Sequence, residues 1–309
     1  MEPWDLAAFE RAAGEGRAAR AADLDRLCRA SGFLVLTGHG VPLATIRAIW
    51  DAAGAFFALP LDEKARLAPR PGDPYGWIGP DREALARSKG VDTPPDLKES
   101  FNGGPLTVPE GIGDPDATAF CYAPTPWPDL PGFRAAWEAY YRALEDLAAR
   151  VMRAVAAALG LPEDRFDADL RAPVSALRAL HYPEAVALPG QARAGAHTDY
   201  GSLTILLPQP GSRGLEVETP EGWQEAPAGP LGEAFVVNIG DLMARWTADR
   251  WVSTLHRVKA IPGQPARRSL AFFHQPDWEA VIAPLDGSGA YPPVRSGPYL
   301  MAKFRATGT

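Results

Sequence analysis

Cysteine is nearly absent: Cys28 and Cys121 are the only two in 309 residues. So few thiols exclude a disulfide framework and fit a reducing cytoplasm, with both read as small buried side chains. No long hydrophobic run occurs. The longest, around Val155 to Leu161, is far too short to cross a bilayer. The first residues, Met1 to Asp5, lack a basic segment followed by an apolar one, so no secretory signal is expected. Runs of Lys and Arg are missing too. With a net charge of -7 and a pI near 5.3, nucleic acid and anionic membrane are poor partners. Histidine is scarce, with five in the chain. Repeats and low-complexity blocks are not found.

What remains is an ordinary soluble composition, 46% hydrophobic and 22% charged, long enough for one large core or two modest ones. Asp23 to Ser31 has helical spacing and stops at Gly32, ahead of a buried strand, Phe33 to Leu36. Leu43 to Leu59 places Ile46, Ile49, Trp50, Ala53 and Phe57 on one helical face. The stretch from Ala68 to Pro128 is dense in Pro and Gly and reads as loop, of the kind that walls a site. A long helix follows from about Pro131 to Gly160, with Phe133, Trp137, Tyr140, Tyr141, Leu144, Leu147, Val151 and Val155 on one side. From about Pro173 the texture is of short strands: Ser175–Tyr182, Ser202–Pro208, Leu215–Glu218, Ala234–Ile239, Ser253–Ala260 and Ser269–His274. The expected fold is α+β with a mainly β core, a double-stranded β-helix (jelly roll) backed by N-terminal and central helices. The chain divides at 1–128, 129–172, 173–277 and 278–309. Nothing in the pattern specifies an oligomeric state.

His197-Thr198-Asp199 puts an imidazole and a carboxylate on one side of extended chain. A second imidazole from a distant strand would complete a facial triad that leaves metal positions open for chemistry. The three-residue pattern alone is weak. With 38 acidic residues, any histidine has about a one-in-eight chance of an acid two positions on.

The wider context is specific. His197 begins His-Thr-Asp-Tyr-Gly-Ser-Leu-Thr-Ile-Leu; Asn238-Ile239-Gly240-Asp241-Leu242-Met243 comes later, then Ser253-Thr254-Leu255-His256-Arg257-Val258, then Arg267-Arg268-Ser269. Upstream stand Gly32 to Pro42, Phe56 to Pro60 and Asp96 to Phe101. In this order the blocks resemble the isopenicillin N synthase-like branch of the iron/2-oxoglutarate dioxygenases over nearly the whole chain.

The resemblance implies His197, Asp199 and His256 as ligands of Fe(II), with 2-oxoglutarate as cosubstrate and O2 as oxidant. It implies that Arg267 and Ser269 grip the distal carboxylate of 2-oxoglutarate. Strand alternation turns Arg268 the other way. Arg178 and Tyr182 share a strand face where relatives contact cosubstrate or substrate; a strand-end arginine and a core tyrosine is the plainer alternative. Tyr75, Trp77 and Phe101 are candidate substrate contacts. His39, His181 and His274 are read as structural. Asn238 and Asp241 flank a turn and are expected to bond backbone.

The implied activity is oxidative decarboxylation of 2-oxoglutarate coupled to hydroxylation, desaturation or cyclisation of a small organic molecule. Three alternatives stay open: an oxoglutarate-independent oxidase of the same family, an ethylene-forming enzyme, and a non-catalytic metabolite-binding protein on the same scaffold.

Overall fold

The computed structural model describes residues 1–80, 82–110, 112–184, 188 and 190–307. The N-terminal part runs β1 (Pro3–Asp5), α1 (Leu6–Arg11), α2 (Gly14–Ala30), β2 (Phe33–Thr37), α3 (Leu43–Phe57) and α4 (Leu61–Ala65). Next come β3 (Gly76–Ile78), β4 (Glu99–Gly103) and the long α5 (Phe133–Ala158). Strands β5 (Ala176–Tyr182), β6 (Ala194–His197), β7 (Leu203–Pro208), β8 (Leu215–Thr219), β9 (Gly222–Glu225) and β10 (Phe235–Ile239) follow. The chain ends with α6 (Asp241–Trp246), β11 (His256–Val258), β12 (Arg267–His274), β13 (Val281–Ile282), β14 (Val294–Arg295) and α7 (Ser296–Thr307).

Two facing sheets form the expected jelly roll. The larger has the order β1-β2-β10-β7-β12-β5-β4-β3, and the smaller β6-β11-β8-β9. Helix α5 backs the larger sheet because its apolar positions recur at helical steps. Trp137, Tyr140, Tyr141, Leu144 and Leu147 are completely buried, in one cluster with Phe101, Leu177 and Phe272 of the sheet. Phe101 sits edge-on to Trp137 at 5.1 Å and Tyr141 edge-on to Phe272 at 5.1 Å. The helical layer thereby fixes one face of the sheet, and the other face is left to build the site.

The stretch from Ala68 to Pro128 is not simply loop. It contains β3 and β4, and all five β4 residues are buried, paired with β5 and with β3. Their Pro and Gly neighbours conceal them, since the partner β5 that stabilises β4 lies far along the chain. Helix α2 starts at Gly14, well ahead of Asp23, because its first turns are Ala- and Arg-rich and carry little apolar periodicity. The strand expected over Ser253–Ala260 shortens to His256–Val258. Strand β6 has no counterpart among the expected strands; it is four residues of mostly Ala and Gly, held by its pairing with β11.

Candidate active site

The register of the smaller sheet sets His256 opposite His197 across the β6–β11 pair. Their rings lie 4.3 Å apart between centroids. His197 Nδ1 bonds the Gly195 carbonyl at 2.7 Å, and His256 Nδ1 bonds the Thr254 carbonyl at 3.2 Å. A carbonyl only accepts, so each Nδ1 carries the proton and each Nε2 presents its lone pair. Both Nε2 atoms stand 3.8 Å from Asp199 Oδ1. One ligand atom from each of the three residues falls within 4.8 Å of the others.

Asp199 is aimed by the connection between β6 and β7. Its carbonyl accepts from Asp241 N at 2.8 Å, and Gly201 O accepts from Leu242 N at 3.1 Å. The two segments meet so closely that a Cβ on Gly240 would lie 2.2 Å from Gly201 O, and one on Gly201 2.5 Å from His274 O. Glycine is required at both positions. Asn238, on β10, donates from Nδ2 to Asp199 Oδ2 at 2.8 Å and leaves Oδ1 to the histidines. This corrects the expectation of a backbone role for Asn238. Asp241 also bonds side chains, accepting from Ser253 Oγ and Lys303 Nζ, each at 2.8 Å.

Burial first, and the His256 ring second, push His197 down to about 3, so its imidazole stays neutral in ordinary solution. Burial alone would lift the Asp199 carboxyl, but His256, His197 and the Asn238 amide outweigh it and hold it below the usual range. A neutral imidazole and an ionised carboxylate are the states a divalent cation needs.

The triad opens into a cavity of about 490 Å³, which Arg267, Ser269, Tyr182 and Arg178 also line. Arg267 and Ser269 point inward from β12, while Arg268 turns outward to donate to the Trp50 carbonyl at 3.0 Å. Arg267 is 3% exposed, and its guanidinium lies 4.7 Å over the Tyr182 ring. It donates from Nη1 to the Arg213 carbonyl at 3.1 Å. Its Nε and the Ser269 hydroxyl have no partner among the described residues. Burial holds the guanidinium below its ordinary value. A buried cation facing a cavity without a counter-charge is a fixed site for an anion, and the fork suits a carboxylate. The donor set therefore fits both a divalent metal and a keto acid.

Arg178 is otherwise engaged. Its Nη1 reaches Glu83 at 3.3 Å, Lys98 reaches Glu83 at 3.2 Å and Asp96 at 3.0 Å, and all four lie on or just behind one wall. Burial would raise Glu83, yet the charges of Arg178 and Lys98 bring it to about 2. Asp96 also accepts from Gly195 N at 3.0 Å and Leu85 N at 3.2 Å, tying this wall to the strand that carries His197.

Of the aromatic candidates, only Tyr75 lines the cavity. Trp77 donates to Glu99 at 2.7 Å, and Phe101 is fully buried against α5. Both lie on the helix side of the sheet, which corrects their reading as substrate contacts. His39 accepts from Val41 N at 3.0 Å, His181 bonds Glu99 at 2.8 Å and His274 bonds Ser202 at 2.7 Å, all structural as expected. Both cysteines are buried and free. None of the described helices is long and apolar enough to cross a membrane.

Residues 173–276 match the 2OG-Fe(II) oxygenase superfamily, and residues 4–130 match the family described as non-haem dioxygenase in morphine synthesis, N-terminal. Validamycin A dioxygenase from Streptomyces hygroscopicus subsp. limoneus is 33% identical, over 97% of this chain and 84% of its own. The crystal structure of a full-length Neurospora crassa protein in complex with alpha-KG and thymine superposes with a TM-score of 0.84 at 30% identity, covering 100% of this chain and 96% of that one. The structure of a dioxygenase for auxin oxidation in rice gives 0.73 at 28% identity, covering 100% and 96%. Sequence match and superposition span the whole of the fold that carries the triad and Arg267, and the chain belongs to the isopenicillin N synthase-like group of the 2OG-Fe(II) oxygenases, as a 2-oxoglutarate-dependent non-haem iron dioxygenase acting on a small molecule.

Proposed function

We propose that His197, Asp199 and His256 hold the Fe(II), and that Arg267 and Ser269, with Tyr182 beneath the guanidinium, hold the distal carboxylate of 2-oxoglutarate. The observation that carries this is the unpartnered, buried pair Arg267 Nε and Ser269 Oγ in the same cavity as the three clustered ligand atoms. Iron with 2-oxoglutarate and O2 supplies the oxidising power, 2-oxoglutarate leaving as succinate and carbon dioxide. The chain's own residues bind, orient and keep water out. Two Nδ1–H bonds to backbone carbonyls lock both imidazoles, Asn238 locks the carboxylate, and Phe33 packs edge-on to His256 at 5.3 Å. No side-chain acid or base is required. Arg178, held by Glu83, is a wall residue rather than a cosubstrate ligand. The free, buried thiols favour a cytoplasmic setting.

The test is an anaerobic titration of metal-free protein with Fe(II) and then 2-oxoglutarate, followed in the visible region, with succinate assayed after admission of air. A charge-transfer band and succinate release are expected. Iron binding without the band would overturn the role given to Arg267 and Ser269. Asn238→Ala is expected to weaken Fe(II) affinity by about 10- to 100-fold, the usual weight of a partner that orients a metal ligand. Competition against a coloured chelator reads this directly, and unchanged affinity would remove Asn238 from the site.

A further inference from the structure

We infer that Asn102 determines substrate specificity, by reading the adjacent N–H and C=O of a cyclic amide on an otherwise apolar ring. The inference rests on the proposed site and names the class of molecule it takes.

Strand β4 alternates across the sheet. Phe101 points into the α5 core, so Ser100 and Asn102 point to the cavity side, where Asn102 is among the lining residues. Asn102 is 3% exposed, and neither its Oδ1 nor its Nδ2 has a hydrogen-bond partner among the described residues. A buried carboxamide with both ends unpaired is costly to keep unless something else pairs it. Its neighbours across the strands are Gly76 on β3 and Arg178 on β5. Gly76 has no side chain to offer, and Arg178 is turned to Glu83.

The adjacent Tyr75 ring is pinned through its hydroxyl to the Cys121 carbonyl at 2.7 Å. The cavity lining as a whole is largely apolar, with Phe33, Tyr75, Phe120, Leu206 and Phe273. A carboxamide offers one donor and one acceptor side by side, complementary to a lactam edge.

An acidic substrate fits the interior less well. Lys98 and Arg178 are both cations of this wall, and Glu83 and Asp96 already neutralise them. Arg70 and Arg82 line only the exposed rim. Among the described lining residues Thr204 Oγ1, Ser269 Oγ and Gln275 Oε1 are also unpaired, but Asn102 alone leaves both ends of a carboxamide unspent.

Calorimetry on the anaerobic iron- and 2-oxoglutarate-loaded enzyme tests this with two probes of one shape: 2-quinolone, which has the N–H, and coumarin, which has a ring oxygen in its place. The wild type is expected to bind 2-quinolone at least about tenfold tighter, because coumarin sets an acceptor against an acceptor. In Asn102→Leu the ratio is expected to fall to about one. A wild-type ratio near one, binding of neither probe, or a ratio that survives in Asn102→Leu would overturn the inference. The wild-type ratio needs no variant, so it decides even if Asn102→Leu does not fold. Absence of 2-oxoglutarate binding in the same series would instead strike the proposed site, leaving the probe ratio to judge Asn102 separately.

Discussion

Asp199→Ala is expected to yield a folded protein that retains no iron through anaerobic gel filtration and forms no succinate coupled to substrate oxidation. Asp199 is the only anionic member of the triad, and its Oδ1 is the atom that both imidazole Nε2 atoms face at 3.8 Å. Two imidazoles alone offer a divalent cation neither compensating charge nor a third position. The loss must therefore exceed the about 10- to 100-fold carried by an orienting partner such as Asn238. Folding is affected much less. The side chain accepts from Asn238, whereas the turn is held by the Asp199 carbonyl, which the substitution keeps. Leaving the Asn238 amide unpaired costs about 1–3 kcal/mol. A cooperative melt with modestly lowered Tm, beside absent iron, is the expected pair of results. Succinate formation at the wild-type rate would sink the ligand assignment.

What the sequence makes legible divides along physical lines. The long helix is readable because its apolar residues recur at a fixed step over many turns, and its bounds, Phe133 and Ala158, fall close to the expected ones. Alternation alone assigns Arg267 and Arg268 to opposite faces, and the structure separates them so. Trp77 and Phe101 show the limit of the same rule. Alternation tells which residues share a face, but which face meets the cavity depends on pairing with β5, distant in sequence. Asn238 misleads for a related reason. Its neighbour Gly240 suggests a turn, yet the side chain precedes that turn on β10 and meets Asp199 through the β10–β7 pairing. The balanced wall of Glu83, Asp96, Lys98 and Arg178 joins three separate stretches of chain, so no local pattern announces it.

Arg267→Ala is expected to raise the 2-oxoglutarate concentration needed for half-saturation by about 30- to 900-fold, the equivalent of about 2–4 kcal/mol for a buried charge-assisted contact. Three features of its setting put the effect at that scale. The guanidinium is 3% exposed, so its field is little screened. Its hydrogen bond to the Arg213 carbonyl leaves Nε unspent, and no carboxylate of the described residues pairs with it. The Tyr182 ring beneath it fixes the plane of the fork, so little freedom remains to be lost on binding. The stability of the ligand-free protein moves the other way or stays level, because the substitution removes a buried cation with no counter-charge. Arg268→Ala is the matched control. That side chain packs over Trp50 and donates to its carbonyl, and a Cβ on Gly54 would lie 2.0 Å from its Nη1, so its loss loosens the contact between β12 and α3. Stability should fall there, with the 2-oxoglutarate requirement unchanged. Steady-state titration of 2-oxoglutarate and a denaturant midpoint for both variants separate the two arginines. An equal 2-oxoglutarate requirement in both would mean that the distal carboxylate is held elsewhere in the cavity.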